Sequence, residues 1–258
     1  MGNKRALLLP PAIVMAAFLL LWQGAVWLFG TEAYVLPAPS AIAKQAIDSA
    51  PLLAHHMRAT LGITLLGFGI GAAAGFLIAA LLHALPWVRA GFYPLLVLSQ
   101  NVPVMAIGQL LVLWFGFGAL PRVILIALVT FFPVAVAMMT GLSKSDGKLY
   151  DYMRMIGASR RQLFWRLELP GAVPHLFSGL KIAASYAVIS AIYAEAIGAD
   201  SGLGYFMLIA QHGFETVKVF AAIGVIVLLS LALFGAIALA ERLLARGAAQ
   251  GRREGRPS

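Results

Sequence analysis

Few side chains in this 258-residue sequence could do chemistry, and their spacing argues against most reactions. There is no cysteine, which removes thiol nucleophiles, disulfides and cysteine metal sites. His55 and His56 are adjacent, so on a helix they diverge by about 100° and would chelate a metal poorly. They read as interfacial residues, and no metal site is expected. No Gly-x-x-x-x-Gly-Lys-Ser/Thr run occurs, so no nucleotide is held through a P-loop, and there is no His-Glu-x-x-His pattern. Gly157-Ala158-Ser159-Arg160-Arg161 ends in the wrong residue for a nucleophile elbow. No pair of carboxylates lies inside the apolar runs, which argues against an intramembrane aspartyl protease. What remains is a set of polar groups in uncharged surroundings: Gln100, Asn101, Gln109 and Glu195. Burying an unsatisfied amide costs about 1–3 kcal/mol on mutational scales, so the three amides must face partner helices or a wet path rather than lipid. Glu195, near the end of its run, belongs either to that pathway or its gate, or to the outer interface. These residues suit helix packing or a polar path, not bond-making.

The elements that position them are set by the solvent. The sequence is 61% hydrophobic and 11% charged, where soluble domains carry about 25% charged residues. The expectation is an all-α integral membrane protein with six transmembrane helices. Ala6–Thr31 is an uncharged run long enough to cross a bilayer of about 30 Å, and it lacks a clear cleavage site, so it reads as an uncleaved first span. Leu36-Pro37-Ala38-Pro39-Ser40 is a rigid turn, and Ser40 would cap a short amphipathic helix through Ile47. Ala59–Leu82 is the second span. Its Gly67, Gly71 and Gly75, with Ala79, fall on one face and would let another helix approach closely, or else reflect the ordinary glycine content of membrane helices. Ala90–Pro121 is uncharged for too long to be one simple helix and holds Pro94, Pro103 and a turn at Gly116-Phe117-Gly118. Val123–Ser143, Leu176–Gly198 and Val219–Ala240 complete the six, with Lys181 snorkelling near the start of the fifth. The expected organisation is a terminus over 1–5, a six-span domain over 6–245, and a basic disordered tail over 246–258.

Between the fourth and fifth spans, residues 144–175 form the only long charge-dense segment inside the apolar sequence. A basic helix over Tyr150–Ile156 should end at Gly157-Ala158-Ser159, and a second helix should follow until Leu169-Pro170 stops it. Asp151 would supply negative charge in the first turn of the first helix. The segment resembles the cytoplasmic loop of binding-protein-dependent ABC importer permeases. That pattern is Glu-Ala-Ala, three residues, Gly, nine residues, Ile, any residue, Leu-Pro. Gly157, Leu167, Leu169 and Pro170 stand at the required spacing, and Asp151-Tyr152-Met153 replaces the opening triplet. Ser99-Gln100-Asn101-Val102-Pro103, Leu111 to Gly118, Ala194-Glu195 and Ser201-Gly202-Leu203-Gly204-Tyr205 resemble the nitrate, sulfonate, taurine and thiamine-precursor branch, most of all permeases for the thiamine pyrimidine precursor.

The resemblance implies a type I importer architecture in a bacterial inner membrane. It implies a second copy of the chain, two cytoplasmic ATP-binding cassette subunits and an external substrate-binding protein, with ATP bound on the partner and no cofactor in this chain. Asp151, Gly157, Ala158, Ser159, Leu167, Leu169 and Pro170 would then couple to the ATPase. Charge distribution supports this without borrowing from it. If both termini are cytoplasmic, only Lys44, Arg58, Arg122 and Lys218 of the nineteen Lys and Arg lie outside, which leaves fifteen inside. The formal charge of +9 therefore reports topology rather than a nucleic-acid partner. An ion-coupled secondary transporter is the alternative, but it usually shows ionisable relays within the spans or internal symmetry, and neither is visible here.

Overall fold

Apolar segments in lipid must satisfy their own backbone groups, and helices do so residue by residue. The computed structural model describes residues 4–99, 101–144 and 146–254, with side chains between 9 and 244. In chain order its helices are α1 (Lys4–Phe29), α2 (Pro39–Asp48), α3 (Ala50–Ala84), α4 (Pro86–Ser99), α5 (Val104–Phe115), α6 (Ala119–Ser143), α7 (Gly147–Met155), α8 (Arg160–Leu163), α9 (Leu169–Gly198), α10 (Leu203–His212) and α11 (Thr216–Glu254). A π-helical turn, Phe164–Glu168, joins α8 to α9. Among the described residues α1, α3, α6, the α8–α9 run and α11 are long and apolar enough to cross a membrane. A sixth candidate is the pair α4 and α5, which bend by 96° across the Pro103 region and form either one broken span or a re-entrant loop.

The core is α3 packed on α6 and α6 packed on α9. With no water to drive association in lipid, close backbone approach supplies the contact energy. Gly67, Gly71 and Gly75 form the seam on α3. A methyl added at Gly67 would lie 2.6 Å from the Ile126 Cβ, one at Gly75 would lie 2.8 Å from the Phe131 carbonyl oxygen, and one at Gly71 would collide with the Ala127 carbonyl. Gly179 repeats the device between α9 and α6, where a methyl would sit 2.6 Å from the Ala137 Cβ. Around these seams Leu125, Ile126, Val134, Met138, Met139 and Val188 are fully buried. At the rim, α1 touches the bundle through Trp22, whose ring lies 5.9 Å from that of Phe220.

Several local expectations change. Ser40 is not a cap: Ala38 holds the N-cap position of α2, Pro39 opens the helix with its φ already fixed, and the Ser40 N–H donates to Gln23 Oε1 at 3.1 Å. Lys181, near the start of the fifth apolar run, pairs through Nζ with Glu241 on α11. The helix before the loop turn starts at Gly147, earlier than Tyr150, and α11 runs to Glu254, through most of the segment where composition predicts disorder.

Candidate functional site

The loop between α6 and α9 is built from three local devices. Asp146 caps α7, its carboxylate accepting from the N–H groups of Lys148 (3.0 Å) and Leu149 (3.4 Å). At the other end Gly157 adopts φ +86°. Its N–H donates to Arg154 O at 3.1 Å, and the Ala158 N–H donates to Met153 O at 2.9 Å. That nested pair is a Schellman closure, which needs a left-handed residue at Gly157. Ser159 then opens α8 with a reciprocal capping box: Gln162 N–H donates to Ser159 Oγ (3.3 Å), and Ser159 N–H donates to Gln162 Oε1 (2.8 Å). Two helices thus meet across Gly157-Ala158 with the N–H groups of Gly157, Ala158 and Ser159 all paired. The tip is exposed and apolar, with Met155 79% and Ile156 65% accessible.

Two readings of this loop are corrected. Asp151 is not in the first turn of its helix; it is exposed in the middle of α7, and Asp146 takes the dipole position at the N-terminus. Leu169-Pro170 does not stop the second helix either. The π-helical turn absorbs the proline: the Leu169 N–H bonds to Phe164 O, five residues back, and widens the ladder where Pro170 has no N–H to give. Helix therefore continues without a break from Arg160 to Gly198. Leu167 and Leu169 are half-buried, and Leu169 packs against the cluster of Ala79, Leu82, Met139 and Leu142.

At the opposite end of the bundle lies a buried knot. The first three N–H groups of α10 have no partner within the helix, and each meets a side chain from elsewhere. Gly202 N–H donates to His56 Nδ1 (3.1 Å), Leu203 N–H to Thr60 Oγ1 (2.8 Å) and Gly204 N–H to Glu195 Oε2 (2.9 Å). The Thr60 hydroxyl closes the ring by donating to Glu195 Oε2 at 3.0 Å. Gly202 has φ +114°, and a methyl on it would strike the Glu195 carboxylate. Glu195 is 1% exposed and His56 8%. Glu195 is thus neither on an open path nor at a wet interface, and His56 is a core acceptor rather than an interfacial ring.

The expected pathway amides lie apart from that knot. Gln100 lies outside the described residues. Asn101 is exposed, and its Nδ2 donates to the carbonyls of Val97 (3.4 Å) and Leu98 (3.2 Å), ending α4. Gln109 is exposed on α5. Sequence reasoning missed Ser178, Ser185 and Tyr186, which are exposed on the membrane-spanning α9 along a face they share with Ile182 and Ile189. Tyr186, with Ser99, Ile107, Phe132 and Pro133, lines a cavity of about 150 Å³ beside the α4–α5 break. Polar groups at this depth are tolerated only against protein or water.

Comparison with known proteins places this architecture. Residues 67–246 match the family model described as "Binding-protein-dependent transport system inner membrane component". The formylaminopyrimidine transport permease protein ThiX of Halalkalibacterium halodurans is 36% identical, over 92% of this chain and 94% of its own. The putative aliphatic sulfonates transport permease protein SsuC of Bacillus subtilis is 32% identical, over 86% of this chain and 79% of its own. A crystal structure of an amino acid ABC transporter with histidines shares the fold at TM-score 0.63, with 18% identity over 76% of this chain and 95% of that one. The exposed, rigid loop between the fourth and fifth spans sits inside the matched region, and the chain belongs to the binding-protein-dependent inner-membrane components: it is a membrane-embedded, non-catalytic permease subunit of an ABC importer, and the ATPase is a separate subunit.

Proposed function

We propose that two copies of this chain enclose the translocation path, and that the Asp151–Pro170 loop of each enters a groove on a cytoplasmic ATPase subunit. The observation that carries this reading is the loop's internal closure. A Schellman turn followed directly by a capping box leaves few soft dihedrals at the tip, so a push on it moves the helices rather than the loop. The apolar tip at Met155 and Ile156 is the part that a partner would cover. Replacing Gly157 by Trp puts a bulky residue at φ +86° and unmakes the turn. The Gly157→Trp permease should still insert and dimerise, but should capture less ATPase and transport at least about tenfold more slowly, a loss of about 1.4 kcal/mol in coupling. Normal capture with normal uptake would remove this reading.

For the substrate, we infer an uncharged pyrimidine precursor of thiamine, delivered by an external binding protein. The formylaminopyrimidine relative supports it, and so does the cavity at the α4–α5 break, whose lining carries hydroxyl and aromatic groups and no charge. A sulfonate or nitrate anion passing there would lose hydration with no cation to replace it. The sulfonate relative supports the competing reading. Uptake of labelled formylaminopyrimidine and of taurine by the complete reconstituted importer separates them. Accumulation of taurine alone would reverse the assignment.

A further inference from the structure

The loop is joined covalently to α6 and α9, but not to α3, the third member of the core. One polar contact makes that connection. Glu168 is the last residue of the π-helical turn and only 9% exposed. Its Oε2 lies 2.9 Å from Nε2 of His83, next to the end of α3. The family pattern leaves this position open, between Leu167 and Leu169-Pro170, so the acid is a feature of this sequence rather than of the motif. The His83 ring also lies 6.3 Å from that of Phe164, at the start of the same turn. Its Nδ1 is buried without a hydrogen-bond partner among the described residues. The pair borders a cleft of about 550 Å³ that also takes in Tyr150, Arg161 and Trp165 of the loop.

From this placement we infer that His83 and Glu168 are positioning residues, a strut through which the loop's displacement is imposed on α3. Apolar side chains at this junction, such as Leu169 against Leu82, slide past one another at little cost because contact is non-directional. A buried imidazole–carboxylate hydrogen bond has one good geometry and loses most of its strength when misaligned, so it transmits direction as well as force. The π-helical turn is what aims Glu168 at α3, because the widened turn re-registers the side chains that follow it. The strut sits one helix length from the knot that holds the other end of α3 to α10. Both ends of α3 are thus fixed by polar contacts while the glycine seam lets its middle bear on α6.

The inference rests on the loop being the ATPase contact. The test uses the full importer with its ATPase and binding protein, normalised to assembled complex, and reads substrate moved per ATP hydrolysed. Glu168→Ala and His83→Ala should each lower that ratio about tenfold while hydrolysis stays within about twofold. The double variant should be no worse than either single one, since both remove the same contact. Glu168→Gln, whose amide oxygen can still accept from the ring N–H, should keep at least half the coupling. A ratio unchanged in both alanine variants, single losses that multiply in the double, or a loss of transport matched by equal loss of hydrolysis would each overturn the strut. If instead Gly157→Trp both captures ATPase and takes up substrate normally, the docking reading itself fails. Lost capture in Gly157→Trp beside normal coupling in Glu168→Ala sinks the strut alone.

Discussion

Glu195 accepts hydrogen bonds from Thr60 and from the Gly204 N–H with almost none of its surface exposed, so its replacement should act on stability before transport. Glu195→Leu leaves the Gly204 N–H at the start of α10 with no acceptor, and such a buried orphan costs about 1–3 kcal/mol. Glu195→Gln keeps an acceptor for Gly204, and the Thr60 hydroxyl can turn to the His56 carbonyl 3.2 Å away. With the Thr60 hydroxyl served by that carbonyl in either variant, unfolding of the detergent-purified permease should show Glu195→Leu less stable by about 1–3 kcal/mol and Glu195→Gln by about half of that or less. Equal losses would mean that the acceptor at Gly204 is not what matters. At this scale the sequence is legible only in part. Gly157 announces itself because a left-handed turn is a local requirement. Glu195 stands out as an acid in an apolar run, but its partners are far away in the chain, so nothing local says whether it lines a path or closes a knot. Asp151 falls in the middle of its helix because Asp146, a better cap, starts that helix sooner.

The helices themselves were mostly readable, since lipid allows little but helix and the uncharged runs give their lengths. The seam on α3 was readable too, in the four-residue recurrence of Gly67, Gly71 and Gly75. Extended backwards at helical spacing, that same face passes through Thr64, Thr60 and His56, all buried, so the spacing itself carries a signal for the knot. The π-helical turn is not readable, because a Leu-Pro pair ends most helices and nothing local marks the residue at which the ladder widens. The seam makes its own prediction. Gly71→Ala should destabilise by about 1–3 kcal/mol, as overpacking of a backbone contact does, while Gly69→Ala on the open face of the same helix should be neutral or slightly stabilising. Equal behaviour in parallel unfolding curves would mean that α3 and α6 are not in backbone contact.

For the whole molecule, the charge asymmetry predicts which end meets the cytoplasm. The native chain has no cysteine, so single cysteines report cleanly. One at Lys148, exposed in α7, should react with an impermeant maleimide only from the cytoplasmic face, and one at Asp200, exposed at the other end, only from outside. Reaction of both from one side would end the six-span arrangement. The knot between α3 and α10 has a consequence for how the protein is made. Gly202 and His56 are 146 residues apart in the chain. At about 5–20 residues per second, translation adds Gly202 some 7–30 s after it has added His56. Through that interval the emerging second span carries an imidazole and a hydroxyl with no lasting partner, and only the arrival of α10 closes them. Completion of the knot is thus a late event in biogenesis, and a nascent permease that misses it presents membrane proteases with an unfinished helix end. Damage there should be read in how much permease accumulates, before it is read in how fast each surviving copy works.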